Sequence, residues 1–146
     1  MSVVTFHVNV PDPLAYACRL LRKATSLGSR ITVTGELETL RRLDSVLWTF
    51  SPLEFVPHCW DSASEAMRKA SPVVLASDLA QLPPASAVLH LGGALPPVLN
   101  QPDAPFDKII EVVGQGAHQV QQARLRWRAY QALGHTMVHH DLAQAA

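Results

Sequence analysis

The side chains best suited to chemistry lie in the segment ARLRWRAYQALGH, residues 123–135. Successive residues of an α-helix are rotated by 100° around its axis, and this rotation places four polar or aromatic side chains on one face: Arg124, Trp127, Arg128 and Gln131. Two guanidinium groups one turn apart, beside a large aromatic ring, can bind an anionic group that has an apolar end. This pattern predicts a binding site rather than a catalytic one.

A second face of the same helix is expected to pack on the core through Leu125, Ala129 and Ala132. Arg126 is expected to point elsewhere and to need no ligand. Residues 115–140 contain no Asp or Glu, so the ion pairs between side chains four residues apart that exposed helices usually carry are missing. Arginines without such neighbours indicate a partner that brings the negative charge. The alternative is a solvated helix whose tryptophan lies over the body of the protein.

Glycine-rich phosphate loops are absent from the sequence. The first predicted strand ends in VPDPLAYAC, residues 10–18, which lacks the glycines that bring backbone amides close to a pyrophosphate. Gly92 and Gly93 follow another predicted strand, but two prolines come soon after them and no Gly-Lys pair appears. An ordinary turn is therefore the better interpretation of this glycine pair.

Histidines are the residues of this chain best suited to bind a metal ion or to act as an acid or base. His135 and His139 have the spacing of a helical zinc site, with His140 beside them, but Gly134 is predicted to end the helix first, which favours a tail with incidental histidines. Three others match no ligand spacing: His7, His58 and His90. The sequence also contains no nucleophile elbow, HExxH motif or paired carboxylates. We therefore predict no catalytic residue, no metal and no cofactor.

Length and composition predict one globular domain over residues 1–146, with the last eight or so residues frayed. Hydrophobic residues make up 48% of the chain, and 12 basic residues balance 12 acidic ones. This neutrality argues against broad electrostatic binding to DNA or to an anionic membrane. Because no secretory signal or membrane-length apolar run is seen, Cys18 and Cys59 are expected to be free, buried thiols in a cytoplasmic protein.

The periodicity predicts alternating strands and helices. Five strands are expected at residues 3–10, 30–35, 72–77, 87–93 and 107–115. Asp12 and Pro13 form an N-cap and N1 pair for the first helix, which Gly28 ends. The second helix has leucines three or four residues apart: Leu37, Leu40, Leu43 and Leu47.

Three further segments complete this prediction. A short helix is expected at residues 62–70, with Ser62 as its N-cap and Glu65 at the third position. The segment FSPLEFVPHCW, residues 50–60, contains two prolines and cannot form a regular helix. The last dozen residues are expected to begin as an edge strand. The whole order predicts a single-domain α/β fold with a mostly parallel sheet, helices on both faces and no nucleotide-binding loop.

Three segments together resemble the chi subunit of bacterial DNA polymerase III: the strand containing TFHV, the stretch VLWTF…EFVPH, and the helix RLRWRAYQALGH. They occur in that family's order and at its spacing. The resemblance implies a noncatalytic, clamp-loader-associated accessory subunit with a Rossmann-like fold and no nucleotide site. It also implies binding to the acidic C-terminal tail of single-stranded DNA-binding protein (SSB), a peptide that ends in phenylalanine with a free carboxylate.

The implied tail site comprises Arg124, Trp127 and Arg128, with Gln131 as a further hydrogen-bond donor. Relatives commonly have tyrosine and lysine where this chain has Trp127 and Arg128, and both changes keep the chemistry. Val120 and Gln121 are uncharged where relatives often have another basic residue. This difference puts in question how far the site extends along the tail.

The resemblance implies a second surface, for the psi subunit or for an accessory helicase, at Trp48, Phe55, Val56, Pro57 and His58. The alternative for this segment is a proline-kinked part of the core. DNA would be reached only indirectly, through SSB at the replisome. Two other functions remain open from the residues alone: a small nucleotide-dependent α/β enzyme, and a direct binder of single-stranded DNA.

Overall fold

The computed structural model of the protein describes residues 2–49, 56–78, 83 and 85–143. The strands in this part are β1 (Val3–Val10), β2 (Ile31–Thr34), β3 (His58–Trp60), β4 (Val73–Ala76), β5 (Ala87–His90), β6 (Lys108–Gly114) and β7 (Thr136–Asp141). The helices are α1 (Pro13–Ser26), α2 (Leu37–Thr49), α3 (Glu65–Ala70) and α4 (Ala117–Ala132).

The strands form one sheet in the order β3-β4-β2-β5-β6-β1-β7. Every hydrogen-bonded pair among them is parallel, so the predicted α/β class with a mostly parallel sheet is confirmed. All residues of β2, β4 and β5 are buried, as expected for central strands covered on both faces. β3 and β7 are the two edge strands.

Apolar side chains from the two faces of the sheet form two cores, so the prediction of helices on both faces is confirmed. On one face, α1 and α2 pack on the sheet through Ala17, Leu21, Leu40 and Leu43. On the other face the core is built by α4, by β1 and by the segment between β5 and β6. Its large members are Phe6, Leu99, Phe106 and Tyr130.

The beginning of α1 is as predicted. Asp12 is the N-cap and accepts a hydrogen bond from the Ala15 amide at 3.2 Å, with Pro13 in the first turn. Gly28, just past the helix, has a φ of 83°, a backbone conformation that glycine adopts without steric cost. Local chemistry is enough to set both ends of this helix.

The prediction that Ser62 caps the third helix is wrong. The N-cap is Ser64, whose hydroxyl accepts from the Met67 amide at 3.2 Å. The Asp61 amide still donates to the Leu75 carbonyl in β4 at 2.8 Å, and the Ala63 amide closes a turn onto Trp60. The chain is therefore held to the sheet and to this turn until the helix can begin at residue 65.

The segment after Val56 contains a strand that the sequence analysis did not predict. β3 has three residues and pairs in parallel with β4, with His58 opposite Val73. Only three residues follow Pro57 before the next turn, which is too short for a recognisable period-two pattern. Residues 50–55, where the rest of this proline-containing segment lies, fall outside the described part of the chain.

Cys18 and Cys59 are free and buried, as predicted. Burial, with Asp12 close by, raises the pKa of the Cys18 thiol to about 11, so this thiol is protonated and weakly nucleophilic at neutral pH. Within the described ranges, no helix is long and apolar enough to cross a membrane.

Candidate functional site: the two sides of helix α4

The predicted core stripe of α4 is wrong. Leu125 is 54% exposed, and the buried residues of α4 are Ala123, Arg126 and Tyr130. The helix is therefore rotated so that an arginine faces the sheet. A pattern of apolar spacing cannot predict this rotation, because the group that compensates the arginine is a carboxylate on a strand.

That carboxylate belongs to Glu111 on β6, whose side chain is 0% exposed. Arg126 Nε donates to Glu111 Oε1 at 3.0 Å, and the Tyr130 hydroxyl donates to Oε2 at 2.8 Å. His90 on β5, directly opposite Glu111 in the sheet register, places its Nδ1 2.9 Å from Oε2. Four polar side chains from three elements thus satisfy one another inside the protein.

Burial alone would raise the pKa of Glu111, but the charge and hydrogen bond of His90, the charge of Arg126 and the hydrogen bond of Tyr130 outweigh it and hold the pKa below its usual value. Burial, followed by the neighbouring Glu111 charge, raises the pKa of Tyr130 far above its ordinary value. Tyr130 is therefore a neutral donor and Glu111 an ionised acceptor at neutral pH.

The same network holds the loop after β5. Arg126 Nη1 donates to the Gly93 carbonyl at 3.1 Å, and His90 Nε2 lies 3.2 Å from the Ala94 carbonyl. Sequence reasoning missed this cluster. The signal was present, because His90 and Glu111 are the polar residues inside the apolar strand sequences AVLH and KIIEVV. Since its polar groups face one another, the cluster positions α4 and is not itself a ligand site.

Of the predicted binding residues, Arg124, Arg128 and Gln131 lie on the outward side of α4, and Trp127 lies at its flank. We call Arg124, Trp127, Arg128 and Gln131 the arginine face. Arg124, Arg128 and Gln131 are exposed, and neither Arg124 nor Arg128 forms an ion pair or hydrogen bond with any described residue. The two guanidinium groups are therefore available to an anionic partner.

The position of Trp127 has features of both interpretations of the sequence, an exposed binding face and a tryptophan that lies over the body of the protein. It is half-buried, and its ring packs edge-on against Phe6 of β1 at 5.1 Å and against His139 of β7 at 6.1 Å between centroids. The indole thus lies over the body of the protein while part of it still faces solvent beside the arginines. A ring fixed in this way offers an apolar surface that loses little side-chain entropy when it binds.

The C-terminal histidines lie in different environments. His135 is buried, and its Nδ1 accepts from the Ser2 amide at 3.2 Å, whereas His139 and His140 are exposed on β7. Gly134, with a φ of 84°, follows α4 as predicted. No group of three or more His, Cys, Asp or Glu among the described residues is placed to hold a metal ion.

Of the described residues predicted to contact a second partner, some are exposed and others are buried. Trp48 is 61% exposed and Val56 is buried, and Pro57 is exposed. The His58 side chain is almost wholly buried, with its ring 5.2 Å from that of Trp48 and its Nε2 2.8 Å from Asp44 Oδ1. Phe55 lies outside the described residues. Trp48 and Pro57 are thus the members that a partner could contact directly.

A cleft of about 640 Å³ lies at the carboxyl edge of the sheet, where the first turns of α1, α2 and α4 meet the loop after β5. Ligands of open α/β sheets usually bind at this edge. The charged residues that line the cleft are of both signs: Asp12, Glu36, Arg42 and Arg126. The glycines of the lining, Gly92 and Gly93, belong to the turn whose Gly93 carbonyl accepts a hydrogen bond from Arg126. The cleft thus offers mixed charge where a phosphate site needs positive charge.

The sequence matches one family of known proteins. The profile of the family described as "DNA polymerase III chi subunit, HolC" matches residues 1–138. A search of curated protein sequences finds no match.

A solved structure shows a likeness of the fold. The chain is 11% identical to the C-terminal domain of the DEAD-box protein Dbp5, with 99% of this chain and 91% of that one aligned at a TM-score of 0.60. It is 12% identical to the Sulfolobus solfataricus SWI2/SNF2 ATPase C-terminal domain, over 77% and 54% of the two chains, at a TM-score of 0.47. Because the family profile spans nearly the whole sequence, the chain belongs to the DNA polymerase III chi subunit family.

Proposed function

We propose that this polymerase III accessory subunit is noncatalytic and links the clamp-loader part of the replicase to SSB by binding the acidic C-terminal tail of SSB. The observation that carries the proposal is the arginine face, where two exposed guanidinium groups without an ionic partner in the described chain adjoin a fixed, half-buried indole. Such a module acts in the cytoplasm, at the replisome, and reaches DNA through SSB.

The chemistry of the tail matches the chemistry of this face. The terminal phenylalanine ring of the tail would pack on the exposed part of Trp127. Its free carboxylate and the preceding acidic side chains would accept hydrogen bonds from Arg124 and Arg128, which can bind carboxylates in a bidentate manner. Gln131 would supply an additional neutral donor.

The magnitudes suit a peptide of this kind. Burying one phenylalanine side chain contributes roughly 1.5–3 kcal/mol, and each charge-assisted hydrogen bond contributes about 1.5–3 kcal/mol. After the cost of ordering the peptide, a micromolar dissociation constant, about −8 kcal/mol, is expected. Because the arginines are exposed, the affinity should fall as salt concentration rises.

The direct test is a titration with a fluorescein-labelled synthetic peptide that is rich in Asp and ends in Phe with a free carboxylate. Trp127→Ala and Arg128→Ala should weaken binding, and removal of the terminal Phe should abolish it. Arg41→Ala is the matched control, because Arg41 is an exposed arginine on α2 that pairs with Glu38 at 3.9 Å. Unchanged affinity in both α4 variants would contradict the proposed site.

The two rival functions give different results in simple experiments. A direct binder of single-stranded DNA would bind an oligonucleotide without SSB and would lose that binding in Arg128→Ala. A nucleotide-dependent enzyme would be stabilised by about 2.7 kcal/mol at a nucleotide concentration one hundred times the dissociation constant. We expect neither, since the chain has no net charge and its cleft carries charges of both signs.

For the surface around Trp48 we propose contact with a second replication protein, either the psi subunit or an accessory helicase. A tryptophan that is 61% exposed, packed beside a histidine that Asp44 holds in place, is a suitable anchor for a protein interface. Trp48→Ala should abolish co-purification of that partner while leaving peptide binding at the arginine face unchanged. Loss of both interactions would indicate a folding defect instead.

A further inference from the structure

The hydrogen bonds between β7 and β1 show which backbone groups of β7 point away from the sheet. The Thr136 amide donates to the Ser2 carbonyl, just before β1, at 3.2 Å, and the Leu142 amide donates to the Val8 carbonyl in β1 at 3.1 Å. Along a parallel strand, alternate residues direct their N–H and C=O groups to the same side. Val138 and His140 therefore bond to β1, whereas Met137, His139 and Asp141 direct their backbone groups away from the sheet.

This edge has few of the features by which proteins block strand addition. β7 is six residues long, contains no proline or lysine, and is paired in unbroken register with β1. Among the described residues, no group bonds to the outward amides and carbonyls of Met137 and His139. The opposite edge of the sheet, β3, has only three residues. Within the described residues, β7 is the edge strand long enough to pair with several consecutive residues of another chain.

The open edge lies beside the arginine face. The sheet register places His139 opposite Phe6, on the side of the sheet that α4 covers, and the imidazole lies 6.1 Å from the Trp127 ring. The acid at the end of β7, Asp141, accepts hydrogen bonds from Asn9 Nδ2 at 2.7 Å and from the Ala143 amide at 2.9 Å. The Trp127 ring thus brings the arginine face next to a strand edge that has unpaired backbone groups.

We propose that an acidic peptide bound at the arginine face continues in extended conformation along β7 and pairs with it as an eighth strand. The backbone of the peptide would exchange hydrogen bonds with Met137 and His139, while its acidic side chains face the arginines. This inference rests on the proposed function, because the same peptide occupies both parts of the surface. This pairing would lengthen the contact with the peptide although Val120 and Gln121 provide no basic side chain.

A second copy of this chain is the other occupant that an open edge could take. Pairing of β7 with β7 would bring two sets of exposed histidines together, with the arginine faces of both copies close by. Within α4 and β7, Asp141 is the only acidic residue that could offset them. An acidic peptide has the complementary charge, and we therefore assign the edge to it.

Two variants at one position separate the backbone from the side chain. His139→Ala removes the imidazole but keeps the outward amide, whereas His139→Pro also removes that amide. Since the bond from this amide is not part of the pairing with β1, proline is tolerable there. We expect the affinity for the synthetic peptide to fall about tenfold more in His139→Pro than in His139→Ala. Equal affinities in two folded variants would overturn strand addition.

Amide hydrogen exchange of the unmodified protein provides a readout that does not depend on the folding of any variant. Saturating peptide should slow exchange at Met137 and His139, while Val138 and His140, already bonded to β1, should change little. Binding that depends on Arg128 but leaves Met137 and His139 unprotected would overturn this inference and leave the proposed function standing. Absence of any binding would overturn both, and protection that grows with protein concentration alone would assign the edge to a second copy.

Discussion

Helix α4 carries arginines in two opposite environments. Arg126 is 5% exposed and is bound by Glu111 on β6, while Arg124 and Arg128 are exposed and have no ionic partner in the described chain. The three side chains lie within five consecutive residues and are chemically identical. The comparison shows that residue type identifies a candidate binding group, whereas the partner across the packing interface decides which arginine is structural and which is free to bind.

The two environments differ in their effect on the free energy of folding. Removing a guanidinium group and a carboxylate from water is unfavourable unless their geometry and remaining hydrogen bonds are nearly complete. Around Glu111, the groups of His90, Arg126 and Tyr130 meet that condition. The exposed arginines remain hydrated, so substituting them should change binding and leave folding almost unaffected. The predictions that follow test this separation.

The largest effect is expected for Glu111→Ala. This substitution leaves the Arg126 guanidinium buried without its carboxylate, so the free energy of unfolding should fall by about 3–5 kcal/mol. Urea denaturation followed by circular dichroism measures it. The control is Glu38→Ala, which removes an exposed ion pair and should cost no more than about 1 kcal/mol. Similar losses in the two variants would show that the buried network has no special role.

The next largest effect concerns binding rather than stability. Arg124→Ala and Arg128→Ala should each weaken binding of the acidic peptide by about 1.5–3 kcal/mol, the contribution of a hydrogen bond to a charged group. The free energy of unfolding should change by less than about 0.5 kcal/mol, as for ordinary surface substitutions. Fluorescence anisotropy and urea denaturation of the same preparations give both numbers. A large loss of stability here would erase the distinction between the two sets of arginines.

Lowering the pH should destabilise the buried network, because Glu111 becomes protonated. Because the pKa of Glu111 in the folded protein lies below its value in the unfolded chain, its contribution is fully present above the unfolded pKa of about 4.3 and is lost as pH falls through the folded pKa. Each unit of difference corresponds to about 1.4 kcal/mol. Unfolding free energies measured from pH 7 to pH 3 should therefore fall less steeply in Glu111→Gln. An unchanged pH profile in that variant would contradict the assignment.

The smallest effect is expected for Tyr130→Phe. The substitution removes the donor to Glu111 Oε2 but keeps the ring that packs 6.0 Å from Phe6. Arg126 and His90 still contact the Glu111 carboxylate, so the free energy of unfolding should fall by about 1–2 kcal/mol. Affinity for the acidic peptide should be unchanged. A variant that folds normally but loses peptide binding would place Tyr130 in the binding site instead.

Much of the fold could be predicted from the sequence because the signals were local. The alternation of β1, the Asp12–Pro13 start of α1 and the glycine past its end each depend on residues close together in the chain. The start of α3 could not be predicted, because backbone bonds to β4 and to the preceding turn decide between Ser62 and Ser64. β3 was missed for a related reason, since a three-residue strand is specified by its neighbour β4 and not by its own pattern.

The candidate site divides in the same way. The sequence by itself determined that Arg124 and Arg128 lie one turn apart beside Trp127, without acids nearby in the chain, because helical periodicity sets which side chains share a face. Only the tertiary structure decided how α4 is rotated, since the buried carboxylate of Glu111 attracts Arg126 from a distant strand. It also decided that the edge strand predicted at the C-terminus, β7, lies with its open edge beside Trp127. Both outcomes depend on electrostatic and backbone pairing between segments far apart in sequence, which no local pattern contains.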